Sequence, residues 1–419
     1  MTATEPSASP ASSPTASRTL DVQSARLRTL PTYLFHRLDQ AKAQYRGRGP
    51  KAPLIDLGVG DPDRPTPDYI VSALQQAVRD PATHRYPASK GSAKFRRAAA
   101  RFMERRFGVS CDPDRHVLAC IGSKEGIAHL PLAVVDPGRV VLCPSLGYPV
   151  YHAGAVLADA RPVGMPMREA SGWTPLWEEV DPADVRDAAL MWVNYPNNPT
   201  GASVPLDFYA QAARFARTNG IILASDQAYS ELYYTSDKPE SLWKAPGVGL
   251  EEAPFIEFHS LSKGFCMTGW RIGFAVGHQS VIDALAKAKG PIDSGAFSAV
   301  QEAGVVALEN YDHDDIAALR SMYADRLDAT MEGVKKIGSR AQRPIAGLFV
   351  WAQCPNGPDG KPMDSWAFAL RCIDEAGVSL VPGAGFGEDG RHWFRVAMTV
   401  EAPAIAEAFE RVARIDWSK

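Results

Sequence analysis

Short apolar segments alternate with stretches of helical periodicity along most of the chain. The apolar segments are four to six residues long, rich in Val, Ile, Leu and Ala, and they show no alternation of polar and apolar positions. This pattern is typical of strands that are buried on both faces of a mostly parallel sheet. The segments include 116–121, 140–143, 189–193, 221–225 and 255–259.

Helical stretches lie among these segments, for example at 69–78, 95–107 and 206–219. The alternation predicts repeated βα units and therefore an α/β fold, with a mostly parallel central sheet flanked by helices. Several apolar segments end in short polar or glycine-rich sequences. Because ligands of open α/β sheets bind at the carboxyl ends of the strands, we expect the functional residues there.

The pattern changes after about residue 311. The elements predicted from there on are a helix at 316–337, an apolar stretch at 347–352, a helix at 365–376 and a strand at 392–398. They indicate a smaller α+β domain, which residues near the N-terminus complete, where 30–46 has the pattern of an amphipathic helix. We therefore predict a large domain over 56–305 and a small domain formed by 26–55 and 306–419.

The beginning of the chain has a different composition. Ser, Pro, Ala and Thr dominate residues 1–18, with almost nothing apolar to bury. Such a segment cannot recover the entropy that ordering costs, so we predict a disordered tail over 1–25. It has no apolar stretch typical of a secretory signal, and it lacks the basic, amphipathic character of a transit peptide.

Composition and charge exclude several classes of protein. The formal net charge of −3 and the isoelectric point near 6.3 argue against nucleic-acid binding, which needs a basic surface. No run of about 18 apolar residues is present, so no membrane span is predicted. The cysteines show no CxxC pair and no neighbouring histidine cluster, which favours reduced thiols in the cytoplasm over a disulfide framework or a metal site. They are Cys111, Cys120, Cys143, Cys266, Cys354 and Cys372.

One lysine follows the last of the apolar segments before residue 260. Lys263 is flanked by small residues, and Arg271 follows eight positions later. The small neighbours are Ser260, Ser262 and Gly264. They leave room for a bulky anion, whose phosphate a planar guanidinium binds well. A lysine in such a site can lose its proton and attack an aldehyde.

Residues 260–273 resemble the class I and II aminotransferases of the fold-type-I superfamily, which depends on pyridoxal 5'-phosphate (PLP). The resemblance covers nearly all of the chain from about residue 30. It implies that the predicted large domain binds PLP, that the cofactor is attached to Lys263, and that Ser260 and Arg271 contact it. It also implies that Lys263 transfers a proton as general base and acid.

Two further motifs follow in the order that this family requires. Residues 197–201 have the sequence NNPTG, and 226–229 have the sequence DQAY. Taken alone, they are a Pro/Gly turn and a capped helix start. The resemblance implies that Asn198 and Tyr229 bond the phenolate oxygen of PLP, with Asn198 also near the substrate. It implies that Asp226 pairs with the ring nitrogen, where a carboxylate raises the pKa of that nitrogen.

The phosphate of the cofactor is expected at Gly122, Ser123 and Lys124. These residues stand between a strand and a helix, where backbone N–H groups and the helix dipole bind anions. By the same resemblance, Tyr148 stacks on the cofactor ring, although a loop tyrosine is as well explained by packing. Tyr86 resembles a tyrosine that reaches the cofactor of a neighbouring subunit, which implies a homodimer with shared sites.

Two positions resemble the clamp for the α-carboxylate of the substrate. Arg395 lies in an otherwise apolar strand, where a charge is costly unless it is paired. An arginine binds a carboxylate with two parallel hydrogen bonds. Gly60 would let the main chain approach the same carboxylate.

The amino donor is less closely defined. The segments GVGDPDRPTP, GSKEGIAHLPLA, GYPVY and IDSGAFSAVQEA resemble the branch that holds LL-diaminopimelate aminotransferases and similar bacterial enzymes. This implies transfer between an amino acid and a 2-oxo acid, with LL-diaminopimelate and 2-oxoglutarate as one pair. A broad alanine/aspartate-type aminotransferase and a PLP-dependent lyase are the alternatives. A regulator of this fold would need a DNA-binding module, for which the residues before 30 are too few and too polar.

The distal end of the substrate is a separate question. Dicarboxylate-specific aminotransferases of the best-known subgroup supply a second arginine, but residues 289–294 contain none. A strict aspartate enzyme of that type is therefore disfavoured. Asp293 and Glu125 are candidates to bind a distal ammonium group; alternatively, they are surface or packing residues.

Overall fold

The computed structural model of the protein describes residues 22–30, 35–50 and 52–417. Twelve strands lie in this part of the chain: β1 (Ile55–Asp56), β2 (Val117–Cys120), β3 (Val140–Pro144), β4 (Arg161–Met165), β5 (Ala188–Asn194), β6 (Ile222–Asp226), β7 (Ile256–Ser260), β8 (Gly273–Gly277), β9 (Phe349–Gln353), β10 (Val378–Ser379), β11 (Val381–Pro382) and β12 (Trp393–Ala397).

The same residues form fourteen α-helices: α1 (Ala25–Thr29), α2 (Phe35–Gly47), α3 (Asp68–Ala77), α4 (Ala93–Phe107), α5 (Ser123–Val134), α6 (Val150–Leu157), α7 (Pro182–Asp187), α8 (Leu206–Thr218), α9 (Leu261–Gly264), α10 (Gln279–Lys289), α11 (Ser298–Glu309), α12 (Asp314–Lys336), α13 (Ser365–Arg371) and α14 (Ala402–Val412). Among the described residues, no helix combines the length and the apolar character that crossing a bilayer requires.

Seven strands form the central sheet, in the order β2-β8-β7-β6-β5-β3-β4. Only β8 runs antiparallel to its neighbours β2 and β7, and the other pairs are parallel. The predicted α/β fold with a mostly parallel sheet is therefore confirmed. The five predicted apolar strands all occur, with ends within two residues of the predicted ones, whereas β4 and β8 were not predicted.

Both faces of this sheet are covered by helices. Val140 and Leu142 of β3 belong to the apolar core on one face, and Val141 and Cys143 belong to the core on the other. Helices α3, α4 and α11 pack together, as do α5, α6 and α10. Because successive side chains of a strand point to opposite faces, burial on both sides explains why these strands show no polar alternation.

A second set of strands follows in the C-terminal part. Strands β11, β12 and β9 form an antiparallel sheet, and β1 pairs in parallel with β10. Helices α12 and α14 pack on each other beside them, around an apolar core of their own. The predicted boundary at residues 55 and 56 falls within β1, and the division into two domains stays a prediction.

Some predicted bounds differ from the observed ones. Helix α2 begins at Phe35, and residues 31–34 of the predicted 30–46 helix lie outside the described residues, as do residues 1–21 of the predicted tail. The helix predicted at 365–376 is α13 followed by a π-helical turn, Cys372–Ala376. Gly377 ends it with a left-handed backbone.

Candidate active site

A cavity of about 290 Å³ lies at the carboxyl ends of β5, β6 and β7, where the central sheet faces β9 and β12. All predicted site residues except Gly122 and Tyr86 line it: Gly60, Ser123, Lys124, Tyr148, Asn198, Asp226, Tyr229, Ser260, Lys263, Arg271 and Arg395. The structure therefore brings together residues that are up to 335 positions apart in the sequence, from Gly60 to Arg395.

Lys263 lies in the single turn of α9, directly after β7. Ser260 begins this turn, and its Oγ accepts a hydrogen bond from the backbone N–H of Ser262 over 3.2 Å. The Nζ of Lys263 donates to the carbonyl oxygen of Gly60 over 2.6 Å. Burial lowers the pKa of Lys263 to about 8, although Asp61 acts in the opposite direction. A larger fraction of this amine is therefore unprotonated near neutral pH than of an exposed lysine, which suits a nucleophile or a general base.

Asp226 ends β6 and is 3% exposed. Its Oδ2 accepts from the hydroxyl of Tyr151 over 2.7 Å, and its Oδ1 accepts from the backbone N–H of Ala228 over 3.2 Å. Burial raises the pKa of Asp226 to about 6, against the effect of these hydrogen bonds. A cationic partner stabilises a buried carboxylate. The cavity beside Asp226 has room for such a partner.

One end of the cavity is suited to a phosphate. Gly122 precedes α5 with a left-handed backbone (φ 72°), and a Cβ there would lie 2.4 Å from Nη2 of Arg271. Arg271 also has a positive φ, and its Nη1 donates to the carbonyl oxygen of Thr268 over 2.8 Å. Ser123 and Lys124 are the first residues of α5. A guanidinium thus lies beside a helix N-terminus, and both favour an anion.

Another part of the cavity is suited to a carboxylate. Arg395, on β12, is 3% exposed and donates to Oδ1 of Asn198 and to the carbonyl oxygen of Gly58, each over 2.7 Å. Its guanidinium lies 4.1 Å from the centre of the Phe349 ring. A Cβ on Gly60 would lie 2.6 Å from that same ring, so the close approach requires glycine at this position.

Two tyrosines also line the cavity. Burial raises the pKa of the Tyr229 hydroxyl. The ring of Tyr229 packs edge-on against the ring of Phe349, with 5.4 Å between the ring centres. Tyr148 packs edge-on against Tyr151, and the Nζ of Lys124 lies 5.5 Å from the centre of the Tyr148 ring. The apolar ring faces provide a surface against which a flat aromatic group can stack.

Several site residues were not predicted. Tyr151 bonds Asp226, and Asn194 donates to the backbone carbonyl of Asp226 over 2.8 Å while it accepts from the N–H of Asn198. Phe349 and Asp61 line the cavity. Tyr151 stands three positions after the predicted Tyr148, and Asn194 ends an apolar strand, where the sequence predicts functional residues.

Besides Gly122, three predicted residues lie outside the cavity: Tyr86 and the two candidates for the distal end of the substrate, Glu125 and Asp293. Tyr86 is 92% exposed, and its contact with a partner subunit stays a prediction. Glu125 and Asp293 are absent from the cavity lining, and both bind the ammonium group of Lys289. Their acceptor positions therefore face an internal cation and not the site of a substrate.

Comparison with known proteins gives a consistent result. Residues 52–412 match the family described as aminotransferase class I and II. LL-diaminopimelate aminotransferase from Aquifex aeolicus is 43% identical over 392 residues, which cover 94% of this chain and 98% of that protein. The protein of the same name from Syntrophobacter fumaroxidans is 43% identical over 397 residues, with 94% and 99% covered.

Solved structures give the same answer. Substrate-bound BacF from Bacillus subtilis superposes with a TM-score of 0.85 at 33% identity, covering 94% of this chain and 98% of that one. A probable N-succinyldiaminopimelate aminotransferase from Thermus thermophilus gives 0.83 at 34% identity, covering 91% and 99%. The chain therefore belongs to the class I and II aminotransferases, enzymes that move amino groups between amino acids and 2-oxo acids.

Proposed function

We propose that the protein binds PLP on Lys263 and transfers the amino group of LL-diaminopimelate, or of a closely similar amino acid, to 2-oxoglutarate. The observation that carries this proposal is the 43% identity to LL-diaminopimelate aminotransferases over 94% of the chain. The class I and II aminotransferases depend on PLP in general.

The residues of the cavity fit PLP. The phosphate would be held by the start of α5, by Ser260 and by Arg271, whose guanidinium occupies the space that a side chain at position 122 would need. The buried carboxyl of Asp226, whose partners are a hydroxyl and a backbone amide, would gain a cation in the protonated ring nitrogen. Asn198 and Tyr229 would bond the phenolate oxygen, and Tyr148 would lie against the ring.

The chain's own residues perform the remaining tasks. When bound, PLP withdraws electrons from the Cα of the substrate, and Asp226 keeps that withdrawal strong by holding a proton on the ring nitrogen. Lys263, with its lowered pKa, would act as general base and acid: it would accept the proton from Cα of the substrate and give it up again on the cofactor side of the amino nitrogen. Arg395 would bind the α-carboxylate and so fix the direction of the Cα–H bond.

The donor is tested by half-reactions. Cofactor-loaded protein is mixed with LL-diaminopimelate, its N-succinyl derivative, glutamate, aspartate or alanine, and the absorbance of the cofactor is followed. We expect LL-diaminopimelate to give a kcat/KM at least about tenfold above that of aspartate. Lys263→Ala is the control and should convert no donor. A kcat/KM for aspartate at least about tenfold above every other donor would contradict the proposed substrate.

We also propose a homodimer in which Tyr86 reaches the cofactor of the partner. The exposure of its side chain supports this, together with Ile292 and Phe297, which are 51% and 47% exposed. Mixing Lys263→Ala chains with Tyr86→Ala chains should form heterodimers with one intact site and regain part of the activity. No gain, with heterodimers shown by mass spectrometry, would mean that each site uses one chain.

A cytoplasmic location is part of the same proposal. All six cysteines are unpaired thiols, as expected for a protein in a reducing compartment. Fractionation of cells that express the full chain should recover the activity in the cytosolic fraction, and recovery outside it would contradict this location.

A further inference from the structure

Lys289 is a buried lysine outside the cavity, and it contacts Glu125, which lies next to the residues assigned to the cofactor phosphate. Lys289, the last residue of α10, has no exposed surface. Its Nζ donates to Oε2 of Glu125 over 2.5 Å and to Oδ2 of Asp293 over 2.9 Å. An isolated ammonium group in such a place would be very costly, so these two carboxylates are essential to its burial.

Glu125 is the third residue of α5, directly after the residues assigned to the phosphate. Its Oε2 accepts from the backbone N–H of Ile121 over 3.0 Å, and its Oε1 lies 2.6 Å from Nδ1 of His129. A carboxylate in the first turn of a helix occupies the same positive end of the dipole that a phosphate uses. Without a neighbouring cation, Glu125 would repel a dianion bound at Gly122 and Ser123.

The charge states follow from the surroundings. Burial alone would raise the pKa of Glu125, but His129 and Lys289 together outweigh it and hold that pKa below its usual value. Burial alone would lower the pKa of Lys289, but Glu125 and Asp293 raise it. Glu125 is therefore a carboxylate and Lys289 an ammonium group at neutral pH.

Asp293 extends the same network. Its Oδ1 accepts from the backbone N–H of Gly295 over 2.8 Å, and Gly295 packs against the carbonyl oxygen of Ala88. Among the described residues, Glu125, His129 and Asp293 are the one group with ligand atoms as close as metal ligands, within 4.8 Å. The ammonium of Lys289 bonds two of these three side chains, so we interpret the group as an ion-pair network.

We propose that Lys289 is a positioning residue for the cofactor phosphate: its ammonium, shared by Glu125 and Asp293, offsets the charge of Glu125 and so weakens the repulsion of a dianion at the start of α5. This inference rests on the proposed function, because it requires PLP at that helix. It also gives Glu125 and Asp293 a role that involves no contact with the substrate.

The test compares two ligands that differ only by the phosphate. PLP is removed from the protein, and the dissociation constants of PLP and of pyridoxal, which lacks the phosphate, are measured by absorbance titration. In Lys289→Met we expect the affinity for PLP to fall at least about tenfold more than the affinity for pyridoxal, because the repulsion acts on the phosphate alone. In the double variant Lys289→Met/Glu125→Gln, the ratio of PLP affinity to pyridoxal affinity should return most of the way to its native value.

A matched control is available in Lys42. This lysine is also buried, 6% exposed, and its Nζ lies 2.7 Å from Asp39 and 3.1 Å from Asp56. Lys42→Met should lower the stability of the protein to a similar degree but leave the ratio of PLP to pyridoxal affinities unchanged.

Three results would overturn the inference. The first is an equal loss of affinity for both ligands in Lys289→Met, and the second is no recovery in the folded double variant. If Lys289→Met does not fold, the variant Glu125→Gln decides, because it should keep or raise the ratio of PLP affinity to pyridoxal affinity. The third result that would overturn the inference is a tenfold fall of this ratio in Glu125→Gln. Failure of the proposed function looks different, since the native protein would then show no PLP fixed to Lys263 after borohydride reduction.

Discussion

We define the floor of the cavity as the residues at the ends of β5, β6 and β7 and at the start of α5. Asp226 and Lys263 belong to this floor. Gly60, Phe349 and Arg395 form the wall of the cavity; Phe349 lies on β9, Arg395 lies on β12, and Gly60 follows β1. The floor depends on the strand order of one sheet. The position of the wall depends on how the sheet of β9 and β12 approaches the central sheet, and Arg395 of β12 donates to Asn198, which follows β5 of the central sheet.

The difference between floor and wall indicates a division of labour. The floor holds Asp226 and Lys263, whose pKa values are strongly shifted because both are buried against the central sheet. The wall is as buried as the floor, since Arg395 and Asp226 are both 3% exposed, and it provides a guanidinium suited to a carboxylate. We therefore expect changes on the floor to reduce the chemical step and changes on the wall to reduce substrate binding.

The largest effect is expected from Lys263→Ala. Loss of the amine removes the general base on the floor, and we expect kcat to fall about 10⁴-fold, the upper range for such a group. The measurement is single-turnover absorbance with saturating donor. Lys244→Ala, at an exposed lysine paired with Glu240, is the control and should have native activity. A variant within tenfold of native would remove Lys263 from the chemical step.

Asp226→Asn tests the other half of the floor. An amide cannot hold the proton on the ring nitrogen, so we expect kcat to fall about 10³-fold while PLP still binds. Turnover with several donors measures the effect, and all donors should lose it equally. Near-native turnover would reduce Asp226 to a structural residue.

The same variant should change stability with pH. The raised pKa of Asp226, about 6 in the folded protein against 3.8 for the ordinary group, means that the folded state holds a proton that the unfolded state releases. The free energy of unfolding of the cofactor-free protein should therefore fall as pH rises from about 4 to 6, by up to about 3 kcal/mol. Asp226→Asn should lack this contribution in urea unfolding curves. An identical pH dependence in both proteins would contradict the pKa shift.

Arg395→Ala tests the wall. A buried guanidinium is lost, and we expect kcat/KM for amino acids to fall about 100-fold. Amines without a carboxylate should be affected little, because the α-carboxylate is the group that Arg395 binds. Arg395→Lys should recover only part of the loss, since an ammonium lacks the planar fork. Equal losses for amines and amino acids would indicate a folding role.

The smallest effect is expected from Tyr151→Phe, which removes one hydrogen bond to Asp226 and leaves the ring in place. A hydrogen bond to a charged group contributes about 1.5 to 3 kcal/mol, so we expect turnover to fall at least about tenfold. Tyr209→Phe is the matched control: its buried hydroxyl accepts from Gln227 and does not line the cavity. A similar loss in both variants would show that the effect is not specific to Asp226.

The sequence alone was sufficient for the alternation of helices and strands and for most of the floor. The apolar segments at 140–143 and 221–225 became β3 and β6, because burial on both faces imposes a local, recognisable composition. The motif around Lys263 is also local. This motif, together with the order of the other motifs along the chain, indicated the resemblance to the aminotransferases. By contrast, β4 escaped prediction because it lies at the sheet edge with Arg161 exposed, and β8 because glycine stands at both of its ends.

Only the tertiary structure decided how the wall meets the floor and how the charges are paired. Phe349 lies against Gly60, and Lys289 bonds Glu125 across 164 positions of the chain. Nothing local to these residues indicates their partners, because contacts between distant segments depend on how whole sheets and helices pack. The same holds for the pKa values of Asp226 and Lys263, whose largest cause is burial, a property that no residue has before the chain has folded.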